Sequence, residues 1–234
     1  LFFYPMKKTI ITLDGHSGCG KSTLAKLLAK ELNFLYIDSG AMYRAISLFF
    51  LESNQILKNG KLNSDFKKTL DSVNIDFSKP NEKGESWVRL NGEIVEDKIR
   101  NIEISNLVSE ISKNAFVRKK MVLIQQSYST ISNLVMDGRD IGSVVFPNAD
   151  IKFWVTASAE KRAYRRWLEY KQKGKNISIK EVTQNINFRD ENDQNRKVSP
   201  LIKPLNSIII DSSDMDIKQT FNFALIHIQN YLKK

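Results

Sequence analysis

Residues 14–23, "DGHSGCGKST", leave the chain little choice of architecture. The spacing Gly15-x-x-x-x-Gly20-Lys21-Ser22 belongs to a loop whose successive backbone N–H groups turn towards phosphate oxygens. Glycine at 15, 18 and 20 lets the backbone wrap that closely. Such a loop needs a buried strand before it and a helix after it, whose positive end faces the anion. Both are present in the pattern: "KKTIITLDG" is a short β-branched apolar run, and "KSTLAKLLAKEL" carries apolar residues at helical spacing. The loop residues Gly15, His16, Ser17, Gly18, Cys19, Gly20, Lys21, Ser22 and Thr23 are therefore expected to bind ATP or GTP. Lys21 is placed to reach the β- and γ-phosphates, and the Ser22 hydroxyl to ligate Mg²⁺ directly.

The rest of the chain repeats this rhythm. "FLYIDSG", "NLVMDG", "ADIKFWVT" and "NSIIIDS" read as further short strands, each followed by a helix. Helices are expected over "AMYRAISLFFLES" and over residues 158–173, about 179–191, and 217–232. Alternation of this kind predicts an α/β fold, a parallel five-stranded sheet flanked by helices. One region breaks the rhythm, from about residue 71 to 100. "SVNIDF" and "WVRLNGEIV" alternate by twos around Asn91-Gly92, a two-residue hairpin signal, which predicts a small antiparallel insert. Two helical segments, "EISNLVSEISKN" and "FVRKKMVLIQQSYSTI", lead back to the sheet.

Composition narrows the setting. No apolar run approaches the roughly 20 residues of a membrane span, so no membrane association is expected. "LFFYP" is too short for a signal peptide, and Met6 is read as the natural start, with residues 1–5 an extension. A single cysteine suits a reducing cytoplasm. The net charge of +10 would attract nucleic acid, membranes or small anions alike; lysines solvating helix faces account for much of it. The nearest alternative is another small-molecule P-loop kinase; a nucleic-acid-binding P-loop ATPase is the more distant one, kept on that charge alone, although no nucleic-acid partner is expected.

A second anion site separates a kinase from a motor or switch. "DSGAMYR" stands where open parallel sheets bind ligands, at the end of the second strand. Ser39 is expected to cap the next helix and donate to an oxyanion, with Tyr43 and Arg44 one turn on. Arg162, Arg165 and Arg166 share one helix; they form a solvated face, or one of them, Arg165, contacts ATP. Asp190 and Glu191 are expected to pair only with nearby lysines, His16 to face solvent, and His227 to be structural. Trp87 and Trp154 are expected to pack rather than stack on a base. Cys19 is either a small residue tolerated in the loop or a thiol activated by the helix terminus and Lys21.

Together "DGHSGCGKST", "DSGAMYR", "DGRDIGSVVFPNAD" and "RDENDQNRKVSPL" resemble the bacterial cytidylate kinases, nucleoside monophosphate kinases with a P-loop NTPase fold. The resemblance runs from about Met6 to the C-terminus and includes the hairpin-bearing insert. It implies one P-loop kinase domain over residues 6–234: a core of 6–40, 130–160 and 200–234, a monophosphate-binding region of about 41–129, and a helical lid of about 174–200. It implies transfer of phosphate from ATP to CMP or dCMP with Mg²⁺, by a monomer. Ser39, Tyr43 and Arg44 would hold the acceptor; Arg118 would contact its phosphate or base, and Ser109 would help to read cytosine. Arg139 would bind phosphate and Asp140 the cytosine amino group. Arg189, Asp193 and Arg196 match the lid pattern R-D-x-x-D-x-x-R, the arginines neutralising charge and the aspartate contacting the sugar. Lys21, Arg139, Arg189 and Arg196 would be the catalytic set, and Asp137 would touch Mg²⁺ through water. The chain departs from the family pattern at His16 and Cys19, where proline and alanine are usual, and at Asn192 and Gln194, where some members carry arginine.

Overall fold

The computed structural model describes residues 8–57, 59–79, 81, 86–172 and 174–233. Residues 1–5 and Met6, read above as an extension and a start, lie outside the described residues. In chain order the elements are β1 (Ile10–Asp14), α1 (Lys21–Leu32), β2 (Leu35–Asp38), α2 (Ser39–Glu52), α3 (Phe66–Ser72), β3 (Ile75–Phe77), β4 (Val88–Leu90) and β5 (Glu93–Ile94). They continue with α4 (Ile102–Ile111), α5 (Ala115–Ser127), β6 (Leu134–Gly138), a wide helical turn (Ile141–Val145), β7 (Ile151–Thr156), α6 (Ala159–Gln172), α7 (Ile179–Asn195), β8 (Ile208–Asp211) and α8 (Ile217–Leu232).

Five strands form one parallel sheet in the order β2-β6-β1-β7-β8. They are near-continuous apolar runs because helices cover both faces. On one face Leu24 and Leu28 of α1 and Ala224 and Ile228 of α8 pack with Ile11, Leu13 and Val155. On the other, Met42 and Ile46 of α2, Ile104 of α4 and Met121 of α5 pack with Leu134 and Met136. Since the strands run the same way, their C-terminal ends gather at one edge. Register places Asp14 beside Gly138 and Asp38 beside Asp137, so "LDG", "DSG" and "DGRD" become neighbours.

The insert is a three-stranded antiparallel sheet, β3-β4-β5. Asn91 and Gly92 both have positive φ (50° and 90°), the mirror-image turn that the dipeptide predicts. Two features differ from expectation. Helix α3 is not foreseen, because "FKKTLDS" buries only Phe66 and Leu70, too short a repeat to show periodicity. Helix α7 runs to Asn195 rather than ending near Glu191, so Arg189 and Asp193 lie on one continuous helix. Its start is fixed by Ser178 and Glu181, which cap it reciprocally. Among the described residues no helix is long and apolar enough to cross a membrane.

Candidate active site

The loop between β1 and α1 turns directly over the sheet. Gly15 has φ 146°, and a Cβ there would lie 1.9 Å from the carbonyl oxygen of Val155, so no larger residue fits. The buried Lys21 folds back, its Nζ donating to the His16 carbonyl at 2.6 Å, and burial holds its ammonium below the usual lysine range. Ser22 Oγ and the Tyr36 hydroxyl each donate to Asp137, both at 2.8 Å. Burial, with Asp38 nearby, pushes the Asp137 carboxyl up to about 6.

One loop residue differs from expectation, and another decides between two readings. His16 is half-buried rather than simply solvent-facing: its ring meets Trp154 edge-on, centroids 5.6 Å apart, and Nε2 lies 3.0 Å from the Gln194 side chain of α7. Burial lowers the pKa of the imidazole, keeping it neutral. Cys19 is only 1% exposed and donates its thiol to the His16 carbonyl, filling the core under the loop. The activated-thiol reading is thus disfavoured by access, and the small-residue reading fits.

Facing the loop, the ends of β2 and β6 carry the predicted acceptor residues. Ser39 is not the cap of α2. Asp38 is, accepting from the backbone N–H of Ala41, while Ser39 Oγ donates to the Asp137 carbonyl at 2.7 Å. The helix begins one residue earlier than a serine cap would set it. Tyr43 lies under Arg118, guanidinium to ring centroid 5.2 Å, with its hydroxyl buried and unpartnered. Arg118 is hydrogen-bonded to Asp140 and to the Ser112 carbonyl (3.0 Å); both members of this ion pair are almost fully buried. Arg196 approaches Asp140 at 3.7 Å and Asp193 at 3.6 Å, and donates to the Ser199 carbonyl. Arg139 Nε donates to Asp193 at 2.9 Å. Burial would raise the Asp193 carboxyl, but Arg139 and Arg196 hold it below the usual range. The backbone after Arg139 and Asp140 is held from below. Asp14, fully buried, accepts from the N–H groups of Ile141 and Gly142, both at 2.7 Å.

These residues line one cavity of about 650 Å³, bordered by ten basic and six acidic side chains among the described residues. Ser17, Gly18, Cys19, Gly20, Lys21, Ser22 and Thr23 form one side, with Arg165, which donates to the Ser212 hydroxyl (3.0 Å) and carbonyl (2.6 Å). Ser39, Tyr43, Arg44, Ser109, Arg118 and Asp140 form the other. Asp137, Arg139, Arg189, Asp193 and Arg196 lie between them, whereas Gly15 and His16 are not on its surface. The excess positive charge is strained. Burial and Arg189 push the Arg44 guanidinium down to about 9, and burial and Arg139 push Arg189 down to about 10. Cations crowded in this way are relieved by a polyanion.

Sequence reasoning missed several participants. Arg100, bonded to Asp38 (3.0 Å) and Glu96 (2.5 Å), closes the rim, and nothing local marks it. Asp38 had a signal, being an aspartate at a strand end just before a helix. Arg162 is not on a solvated face: it is 6% exposed and pairs with Asp190 at 2.5 Å. Asp190 accordingly does not pair with surface lysines.

The sequence model of the family described as cytidylate kinase matches residues 11–230. A cytidylate kinase of Bacteroides fragilis is 45% identical over 229 residues, 97% of this chain and 100% of that protein. Another, of Bacteroides thetaiotaomicron, is 46% identical over 92% of this chain and 93% of its own. One of Caldicellulosiruptor bescii is 42% identical over 94% and 95%.

Proposed function

The chain belongs to the cytidylate kinase family, and we propose that it transfers the γ-phosphoryl group of ATP to CMP and dCMP, yielding ADP and CDP or dCDP for pyrimidine nucleotide metabolism. The observation that carries this reading is a continuous cationic cavity with the glycine-rich loop at one end and the buried carboxylate of Asp140 at the other. ATP occupies the loop side and CMP the side of Ser39, Tyr43, Arg44, Ser109 and Arg118. Residues 41–129 then serve as the acceptor-binding region and 174–200 as the lid. The protein acts as a cytoplasmic monomer.

Phosphoryl transfer asks little covalent chemistry of the protein. The attacking atom is a CMP phosphate oxygen already ionised at neutral pH, so no general base is required. A new P–O bond forms to the γ-phosphorus, the bond to the bridging oxygen breaks, and its electrons leave on ADP. Catalysis is in-line positioning and stabilisation of charge on the transferring group. Lys21, Arg139, Arg189 and Arg196 supply that charge.

Mg²⁺ fits the donor side. Among the described residues there is no cluster of three or more His, Cys, Asp or Glu side chains, as an all-protein cage would need. One hydroxyl and one carboxylate, Ser22 and Asp137, sit beside Lys21, the sparse donor set that suits Mg²⁺ shared with phosphates. Ser22 would bind the ion directly and Asp137 through water; when bound, the ion offsets charge on the β- and γ-phosphates. This gives a pH prediction. The folded chain keeps a proton on Asp137 that the unfolded chain releases near 3.8, so the linked stability is lost as pH rises through about 6. Ion binding needs the ionised form and runs the opposite way. Affinity for Mg²⁺·ADP is expected to weaken as pH falls through about 6, and the Asp137→Asn variant to lose that portion of the dependence. Calorimetric titrations at pH 5.5, 6.5 and 7.5 would show it; identical profiles for both proteins would refute the role.

The test of the function is a coupled ADP-release assay across CMP, dCMP, UMP, AMP and GMP. CMP and dCMP are expected to be the best acceptors. Uracil turns a carbonyl towards Asp140 where cytosine offers an amino group, and two facing acceptors leave a buried carboxylate unsatisfied, costing about 1–3 kcal/mol. Asp140→Ala should lower the CMP-to-UMP ratio of kcat/KM by about 5- to 100-fold. A ratio unchanged from wild type would remove Asp140 from base recognition, and ATP hydrolysis stimulated by polynucleotide without CMP activity would overturn the whole reading.

A further inference from the structure

Arg162, which the transfer step does not use, ties the donor loop to α7. From α6 it donates Nε to the Ala157 carbonyl (3.0 Å), and Nη1 both to the Ser17 carbonyl in the loop (3.2 Å) and to Asp190 on α7 (2.5 Å). One helical turn beyond Asp190, Gln194 reaches the same loop and lies 3.0 Å from His16 Nε2. His16 is held against Trp154. Helix α7 therefore rests on the loop at two points along one side. Arg189, Asp193 and Arg196 border the cavity from the same segment.

We propose that Arg162 and Asp190, assisted by His16 and Gln194, couple the two nucleotide sites. An acceptor nucleotide held by Arg189 and Asp193 fixes the position of α7. Because α7 is one rigid helix, Asp190 is fixed with it. Asp190 orients Arg162, and Arg162 holds the Ser17 carbonyl, keeping the loop in the shape that takes the triphosphate. Arg162 and Asp190 are positioning residues that touch neither nucleotide. Coupling between sites is reciprocal, so the donor must tighten the acceptor by the same factor. The proposal rests on CMP being the acceptor. If the ion pair served only to pack α6 on α7, its loss would lower stability without altering the coupling.

The test is calorimetric titration of the whole protein with Mg²⁺ and β,γ-imido-ATP, with and without saturating CMP. Wild type should bind the analogue about 10-fold more tightly when CMP is present, within the usual range for coupled sites. In D190N the ratio should fall below about 2-fold, with affinity for CMP alone changed by less than about 2-fold. In Q194A it should fall part of the way. Gln194 is exposed, so Q194A folds whether or not D190N does, and its ratio then decides. A wild-type ratio of one, or variant ratios equal to wild type while CMP binds normally, would overturn the coupling alone. Failure of CMP to bind wild type would overturn the acceptor assignment, and the coupling with it.

Discussion

Lys21→Met is expected to lower kcat for CMP phosphorylation about 10²- to 10³-fold while changing the KM for CMP by less than about threefold. Lys21 stands on the loop side of the cavity, the proposed donor site, where its charge would matter most as charge moves between the γ-phosphate and the leaving ADP. Methionine keeps the length and the burial of the side chain and removes only the ammonium. Burial already disfavours that ammonium, so the melting temperature should hold or rise, which separates lost catalysis from lost folding. One secondary effect has a known sign. Lys21 is among the groups that lower the Asp137 carboxyl, so the variant should protonate Asp137 at higher pH than wild type. Assays are therefore best compared at pH 8. A variant with unchanged kcat and a raised KM for ATP alone would show that Lys21 contributes only ground-state binding.

What the chain order reveals of this enzyme depends on how locally each feature is built. The strand, loop and helix around Gly15 to Ser22 occupy one stretch, and its glycine spacing has few structural solutions. The hairpin at Asn91 and Gly92 is equally local. The two strand ends proposed to hold the acceptor could be placed at one edge of the sheet, because parallel strands end together. Helix α3 was not legible, since two buried residues in one turn have no period. The cap of α2 was misassigned between adjacent residues, Asp38 and Ser39, both of cap-forming type.

The pairings within the site were beyond reach for a different reason. Arg139 meets Asp193, Arg162 meets Asp190 and His16 meets Gln194 only because α7 returns over the sheet, and no local pattern reports that return. The same arginine reads alike from sequence whether solvated or buried. Arg162 and Arg166 are four residues apart on α6, yet Arg162 is enclosed between loop and α7 while Arg166, half-exposed, pairs with Glu169 on the border of the cavity. Charge spacing on a helix shows which residues share a face. It does not show what covers that face.

Arg118→Met should have the largest effect on stability. Arg118 and Asp140 are both almost fully buried, and truncating one partner leaves the other as an unpaired buried charge, which costs about 3–5 kcal/mol. Arg196, 3.7 Å from Asp140, remains and should hold the loss near the lower figure. For a chain of this size about 3 kcal/mol corresponds to a melting temperature roughly 6–12 °C lower. CMP activity should fall as well, by about 10²-fold or more in kcat/KM, because Arg118 also lies over Tyr43 in the acceptor wall. Combining Arg118→Met with Asp140→Asn separates the two effects. The double variant carries neither charge of the Arg118–Asp140 pair, so most of the lost stability should return, while selectivity for cytosine over uracil does not. Thermal or urea unfolding of the four proteins in this cycle, with CMP and UMP kinetics on each, measures both. If the double variant is as unstable as Arg118→Met alone, the loss comes from packing against Tyr43 rather than from the stranded carboxylate. If it regains stability and still prefers CMP to the wild-type extent, Asp140 does not read the base.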